Sequence, residues 1–183
     1  DLQSRPAVKG NVAIASRNYG GYELNGDSVT VGVGDNCSGI LHADMDGRIT
    51  DFCPAPLSYH GAHVNGIVGA SALVDPLAAS MAPRAKLVDF LYDLILPATG
   101  PMYRDFNMTI TNNSYTLIAA SCEYCGTYDS YSQFMDTLAL EFPEVQHVFA
   151  SGNDGNMTCG SYLRGFATVG GGYQPSKNTL VVG

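Results

Sequence analysis

The strongest constraint on the fold is a β-branched run that stops dead in a polar turn. Ser28 to Gly34 alternates Val and Thr with small residues and runs straight into Gly34-Asp35-Asn36, which reads as a strand feeding a turn. A second run, Val145 to Ala150, ends the same way in Ser151-Gly152-Asn153. Between and beyond them the pattern predicts alternating elements. His60 to Ala79 is small, apolar and free of proline until Pro76, so it reads as a buried helix, followed by a strand over Lys86 to Leu91. The stretch holding Pro97, Gly100 and Pro101 reads as irregular, and Met108 to Asn113 reads as a strand. Ser130 or Ser132 is placed to cap a helix carrying Phe134, Leu138 and Phe142 and ended by Pro143. Thr179 to Val182 is the last strand expected. This β-α-β-β-α-β order predicts an α/β fold, a mainly parallel sheet flanked by helices in one domain over residues 1–183. Such sheets place their chemistry at the carboxyl ends of their strands, where Asp35 and Asn153 both fall.

Composition narrows the partners. A hydrophobic content of 45% supports a core, and 9 basic against 17 acidic residues give a net charge of −8, which opposes nucleic-acid phosphates and anionic membrane surfaces. Neither nucleic acid nor membrane is expected as a partner, and no apolar run is long enough to span a bilayer. Five cysteines in a chain with 14% charged residues, opening on Asp1 rather than Met, fit a mature protein of an oxidising, extracytoplasmic compartment. Cys37 and Cys53 bracket the loop between Asp35 and His60, where a disulfide would brace it and two free thiols are the alternative. Cys122-Glu-Tyr-Cys125 reads as a local or loop-closing disulfide rather than a redox or zinc motif, since it lacks a helix start and a second CxxC. Asn36, Asn107, Asn112 and Asn156 stand in glycosylation sequons.

Singly, the polar residues have plain readings. Asp35 and Asn153 are turn formers, and His60 and His63, three apart on one helix, are either packed or placed to chelate a metal. No glutamate stands nearby to complete a zinc signature, so no metal ligand is assigned. Asp44-Met-Asp46-Gly47 has carboxylates of the kind calcium takes but not the periodic oxygen ligands of a recognised loop. Solvated acids are the reading there, with no cofactor required.

Together, three motifs carry more. Val31-Gly-Val-Gly-Asp35-Asn36, His60-Gly-Ala-His63-Val-Asn-Gly66 and Val148-Phe-Ala-Ser-Gly152-Asn153-Asp-Gly155 stand in that order, with Met81-Ala-Pro-Arg-Ala-Lys-Leu-Val88 between the second and third. The set resembles the subtilisin-like serine proteases over nearly the whole chain, and implies their three-layer fold. The resemblance implies that His60 is the general base, that Asp35 fixes its tautomer, and that Asn153 donates to the oxyanion. It makes His63 a packed helper. It further implies that an extended peptide or protein substrate lies beside Ser114-Tyr115-Thr116, with Ala150-Ser151-Gly152 flooring the first pocket. Thr116 stands where the family has glycine, and the span from Pro83 to Ser114 is shorter than the family's.

The family's nucleophile sits in a Gly-Thr-Ser turn, and no serine of this chain is preceded by Thr. The expectation is therefore a serine endopeptidase domain incomplete at its C-terminus, whose Asp-His-Ser triad takes its serine from a segment or second chain beyond Gly183. The chain by itself is then inactive. A non-catalytic pseudoprotease or assembly subunit that keeps the fold is the alternative, and a His60/His63 metal hydrolase is a third reading.

Overall fold

In the computed structural model, which describes residues 4–38, 42–117 and 122–183, six strands form one parallel sheet. Asp1 lies outside the described residues. The strands are β1 Thr30–Asp35, β2 Ile49–Asp51, β3 Lys86–Leu91, β4 Met108–Asn113, β5 Gln146–Ala150 and β6 Leu180–Val182, in the spatial order β2-β3-β1-β4-β5-β6. The helices are α1 Ser4–Ala7, α2 Gly10–Ile14, α3 Tyr59–Gly69, α4 Thr99–Phe106 and α5 Ser130–Glu141. Each face of the sheet buries its own cluster. On one, Val31, Met45, Ala85 and Leu87 pack with Val68 of α3. On the other, Val88, Phe90, Met108 and Phe149 pack with Met102 of α4 and Met135 and Leu138 of α5. The result is the three-layer arrangement expected, because a strand buried on both faces must be covered on both.

The chain builds outward from β1 in one direction to β3 and β2, then returns to lay β4 on the other side of β1. The order therefore reverses between β1 and β4, and the carboxyl ends of these two strands flank the crevice where parallel α/β sheets hold their ligands. Asp35 is the last residue of β1, and Ser114 follows β4 directly.

Several elements differ from the sequence expectation, each for a local reason. Helix α3 stops at Gly69 and does not reach Ala79. There the Arg48 guanidinium donates to the carbonyls of Gly69 (2.6 Å) and Asp44, and the Asp44 carboxylate takes the amide of Leu73 (2.7 Å), drawing the chain out of the helix. Pro97 to Phe106 is not irregular, because α4 begins at Thr99. Pro101 sits in its first turn, where its missing N–H has no helical partner to lose. The cap of α5 is Asp129, whose carboxylate accepts from the amides of Tyr131 and Ser132, while Ser132 closes a reciprocal capping box. Strand β2 and the N-terminal helices α1 and α2 were not expected at all.

Candidate active site

Asp35 and His60 meet at the end of β1. His60 enters at the first turn of α3, which Ser58 caps by accepting from the His60 amide (3.3 Å). The helix can approach this closely because Gly61 follows the histidine: a Cβ there would stand 1.7 Å from the Asn36 carbonyl oxygen. His60 Nδ1 lies 2.6 Å from Asp35 Oδ1. In the neutral tautomer that carries its proton on Nδ1, the ring donates to the carboxylate and Nε2 keeps a lone pair. Asp35 is 1% exposed, whereas the His60 side chain is 57% exposed. The acid is thus sealed under the base, and the base faces solvent. The Asn36 amide also donates to Asp35 Oδ1 (2.7 Å), and Oδ2 is buried without a hydrogen-bond partner among the described residues.

His60 opens onto a cleft of about 690 Å³ lined by Asn36, Tyr92, Asp93, Ser114 to Leu117 and Asn153. It therefore gathers residues of all three motifs, Asn36 after β1, His60 from α3 and Asn153 after β5, together with Ser114 to Thr116 after β4. Asn153 is exposed in it. Tyr115 lines the cleft beside Tyr92, their rings meeting edge-on at 5.7 Å. The Tyr115 ring turns to the core against Phe149 and Tyr173, and its hydroxyl donates to Asn113 Oδ1 (3.2 Å). Burial pushes that phenol well above its ordinary range. Tyr92, unforeseen from sequence, holds a positive φ of 43° and donates its hydroxyl to Asn36 Oδ1 at the rim.

Ala150, Ser151 and Gly152 do not line this cleft. They are turned toward the segment 170–174: the Gly170 amide donates to the Ser151 carbonyl (2.8 Å), and Gln174 Nε2 donates to the carbonyls of both Tyr115 (2.9 Å) and Ala150 (3.1 Å). A glutamine in a glycine-rich loop carries no sequence signal of such a role.

Behind the histidine helix lies a buried polar cluster. Asp89, in the middle of β3, accepts from the Ser38 amide (3.0 Å), the Ser38 hydroxyl (2.5 Å) and Asn65 Nδ2 (3.0 Å). Burial raises the Asp89 carboxyl above its ordinary value, and the bonds from Ser38 and Asn65 oppose that rise. Asn65 also donates to the Gly61 carbonyl (3.0 Å), linking the cluster to the first turn of α3.

The remaining expectations fall out as follows. His63 is exposed, not packed, and lines a separate cavity of about 170 Å³ with Arg5 and Ser80. With His60 Nδ1 held by Asp35 and the two rings on different cavities, the structure does not assemble them as a chelate. Asp44 is buried and bonded to backbone amides rather than solvated, while Asp46 is exposed. Asp51, Cys53 and Asp89 lie within metal-ligand reach of one another, but Cys53 is disulfide-bonded and offers no thiolate. Cys37–Cys53 forms across the Asp35–His60 loop as its position suggested, and Cys122 bonds Cys159 instead of its near neighbour Cys125. No helix among the described residues is long and apolar enough to cross a membrane.

No protein-family model and no curated protein matches the chain. Solved structures do. The chain is similar to the CspB protease of Clostridium perfringens, with a TM-score of 0.62 and 16% identity over 80% of this chain and 40% of that one. The prenylagaramide maturation protease PagA follows at 0.51 and 23%, over 72% and 49%, and a serine protease of Aeromonas sobria at 0.51 and 22%, over 78% and 28%. The chain spans less than half the length of each.

Proposed function

Starting from a chain with a subtilisin-like fold, we propose that it supplies the acid, the base and one oxyanion donor of a secreted serine endopeptidase. The nucleophilic serine comes from sequence beyond Gly183 or from a second chain. The observation that carries this reading is the 2.6 Å contact between His60 Nδ1 and a sealed Asp35, with His60 itself exposed and lining the cleft. A base so arranged takes the proton of a serine hydroxyl as its oxygen attacks a peptide carbonyl. Asp35 then stabilises the imidazolium. The same proton is returned to the leaving amine, and a water repeats the sequence to release the acyl group. Asn153 donates its side-chain N–H to the oxyanion of each tetrahedral intermediate. The peptide lies extended along Ser114 to Thr116, beside the histidine.

The two disulfides support an oxidising compartment. A non-catalytic role is the second reading, favoured by the Thr116 side chain at a position that the substrate backbone would pass. Fluorophosphonate labelling of the full-length protein separates them. A protease is labelled on one serine, and His60→Ala abolishes the labelling. An intact, folded full-length protein that stays unlabelled overturns the protease reading.

A further inference from the structure

Strands β4 and β5 pair as far as Asn113 and Phe149, and beyond them the chain diverges into two walls, Ser114 to Thr116 and Ala150 to Gly152. In a protease of the proposed kind, the slot between these walls receives the side chain on the acyl side of the scissile bond. Here the slot is filled from within. The single Nε2 of Gln174 has two hydrogens, and it donates one to the Tyr115 carbonyl and one to the Ala150 carbonyl. The carboxamide therefore spans the gap from wall to wall, and Gln174 is 3% exposed. Thr116 closes the slot further. A Cβ on Gly170 would fall 2.0 Å from Thr116 Oγ1 and 3.4 Å from Gln174 Cδ, so the threonine side chain rests on the Gly170 backbone beside the glutamine. Gly171 bridges Leu117, and a Cβ on Gly172 would lie 2.5 Å from the Leu117 side chain, which binds the filling segment along the whole wall.

We infer that Gln174 is a specificity-determining residue, and that the substrates are peptides with glycine, alanine or serine immediately before the scissile bond. The inference rests on the protease reading. A large side chain enters only if the glutamine leaves, and its departure strips both carbonyls of this donor at a position that is 3% exposed. A residue of one carbon or none leaves the bridge intact. Substrate recognition then depends on the extended backbone along Ser114 to Thr116 and on the open cleft toward Tyr92 and Asp93, not on a deep first pocket.

The test uses the full-length protein and quenched fluorescent peptides that differ only in the residue before the cleaved bond. The wild type should cleave after Ala at least about tenfold more efficiently in kcat/KM than after Phe, the scale on which a pocket discriminates by size. Gln174→Gly should raise the ratio of kcat/KM for the Phe peptide to that for the Ala peptide by about tenfold or more. Gln174→Met, which refills the slot without the bridge, should keep the wild-type order. Wild-type cleavage after Phe or Leu equal to that after Ala overturns the inference, as does a Gln174→Gly variant whose Phe-to-Ala ratio is that of the wild type. Binding of 4-fluorophenol, followed by ¹⁹F line broadening, reads the slot without catalysis. It should appear in Gln174→Gly and be absent from the wild type and Gln174→Met, and equal binding to all three overturns the filled slot. If no peptide is cleaved and no fluorophosphonate is taken up while this binding pattern holds, the protease reading falls and the filled slot stands.

Discussion

His147 should make stability fall steeply with acid. It lies in β5, 1% exposed, with Nδ1 2.8 Å from Thr111 Oγ1 and Nε2 buried without a partner among the described residues. Burial lowers its pKa from 6.5 to about 4. Between those values the unfolded chain binds a proton that the folded chain does not, so stability must fall as pH falls. The contribution is complete above about pH 6.5 and is lost down to about pH 4, at close to 1.4 kcal/mol per pH unit and about 3 kcal/mol in all. Against a total stability of about 5–15 kcal/mol, that loss is large. Carboxylates also titrate in this range, so the assay is a difference. Urea unfolding of the full-length protein and of His147→Val is followed from pH 7 to 4. Valine removes the titration and leaves Thr111 Oγ1 its bond from Asn113 Nδ2 (2.8 Å), so its cost is a pH-independent offset. The gap between the two proteins should close by about 3 kcal/mol as pH falls, because only the wild type pays for keeping the imidazole neutral. A gap constant within 0.5 kcal/mol, of the order of ordinary additivity error, refutes the reasoning.

Four further outcomes are expected of the full-length protein. Asp35→Asn should lower kcat by about 10⁴ while leaving the melting temperature within a few degrees, since the amide misdirects the imidazole tautomer without emptying the site. Asn153→Ala should lower kcat by about 10²–10³ with KM little changed, as an oxyanion donor acts only once the tetrahedral intermediate forms, and an equal effect on both constants would point to a binding role. Replacing Cys122 and Cys159 together by serine should cost about 4 kcal/mol in denaturant unfolding. The bridge closes 37 residues, and the Cys37–Cys53 pair, closing 16, should cost about 3 kcal/mol.

What was legible in the sequence was what is periodic or spaced along the chain. β1 and β4 are rich in β-branched residues and β3 and β5 are short apolar runs between turn signals, and the residues at the ends of β1 and β5 could be named because a parallel sheet collects its chemistry there. β2 was missed because three residues, Ile49 to Asp51, two of them exposed, are too few to show alternation. α4 was missed because Gly100 and Pro101 look like breakers unless they are known to sit in a first turn. Pairwise facts that exist only in three dimensions were beyond reach. Nothing in the spacing joins Cys122 to Cys159 rather than to Cys125, and nothing in Tyr173-Gln174-Pro175 shows that the glutamine reaches back to Tyr115 and Ala150.

The cluster beneath α3 has a consequence for how this sequence can change over time. Asp89 accepts from the Ser38 amide, the Ser38 hydroxyl and Asn65 Nδ2 away from water, so exchanging Asp89 alone for an apolar residue deprives three donors of this acceptor, while exchanging all three side chains at once leaves only the backbone amide of residue 38 in that position. Each single step out of the trio passes through a less stable protein. The three positions are therefore tied in descent as well as in space. A lineage that carries an aspartate at 89 should carry the other two with it, and one that has lost it should have lost all three.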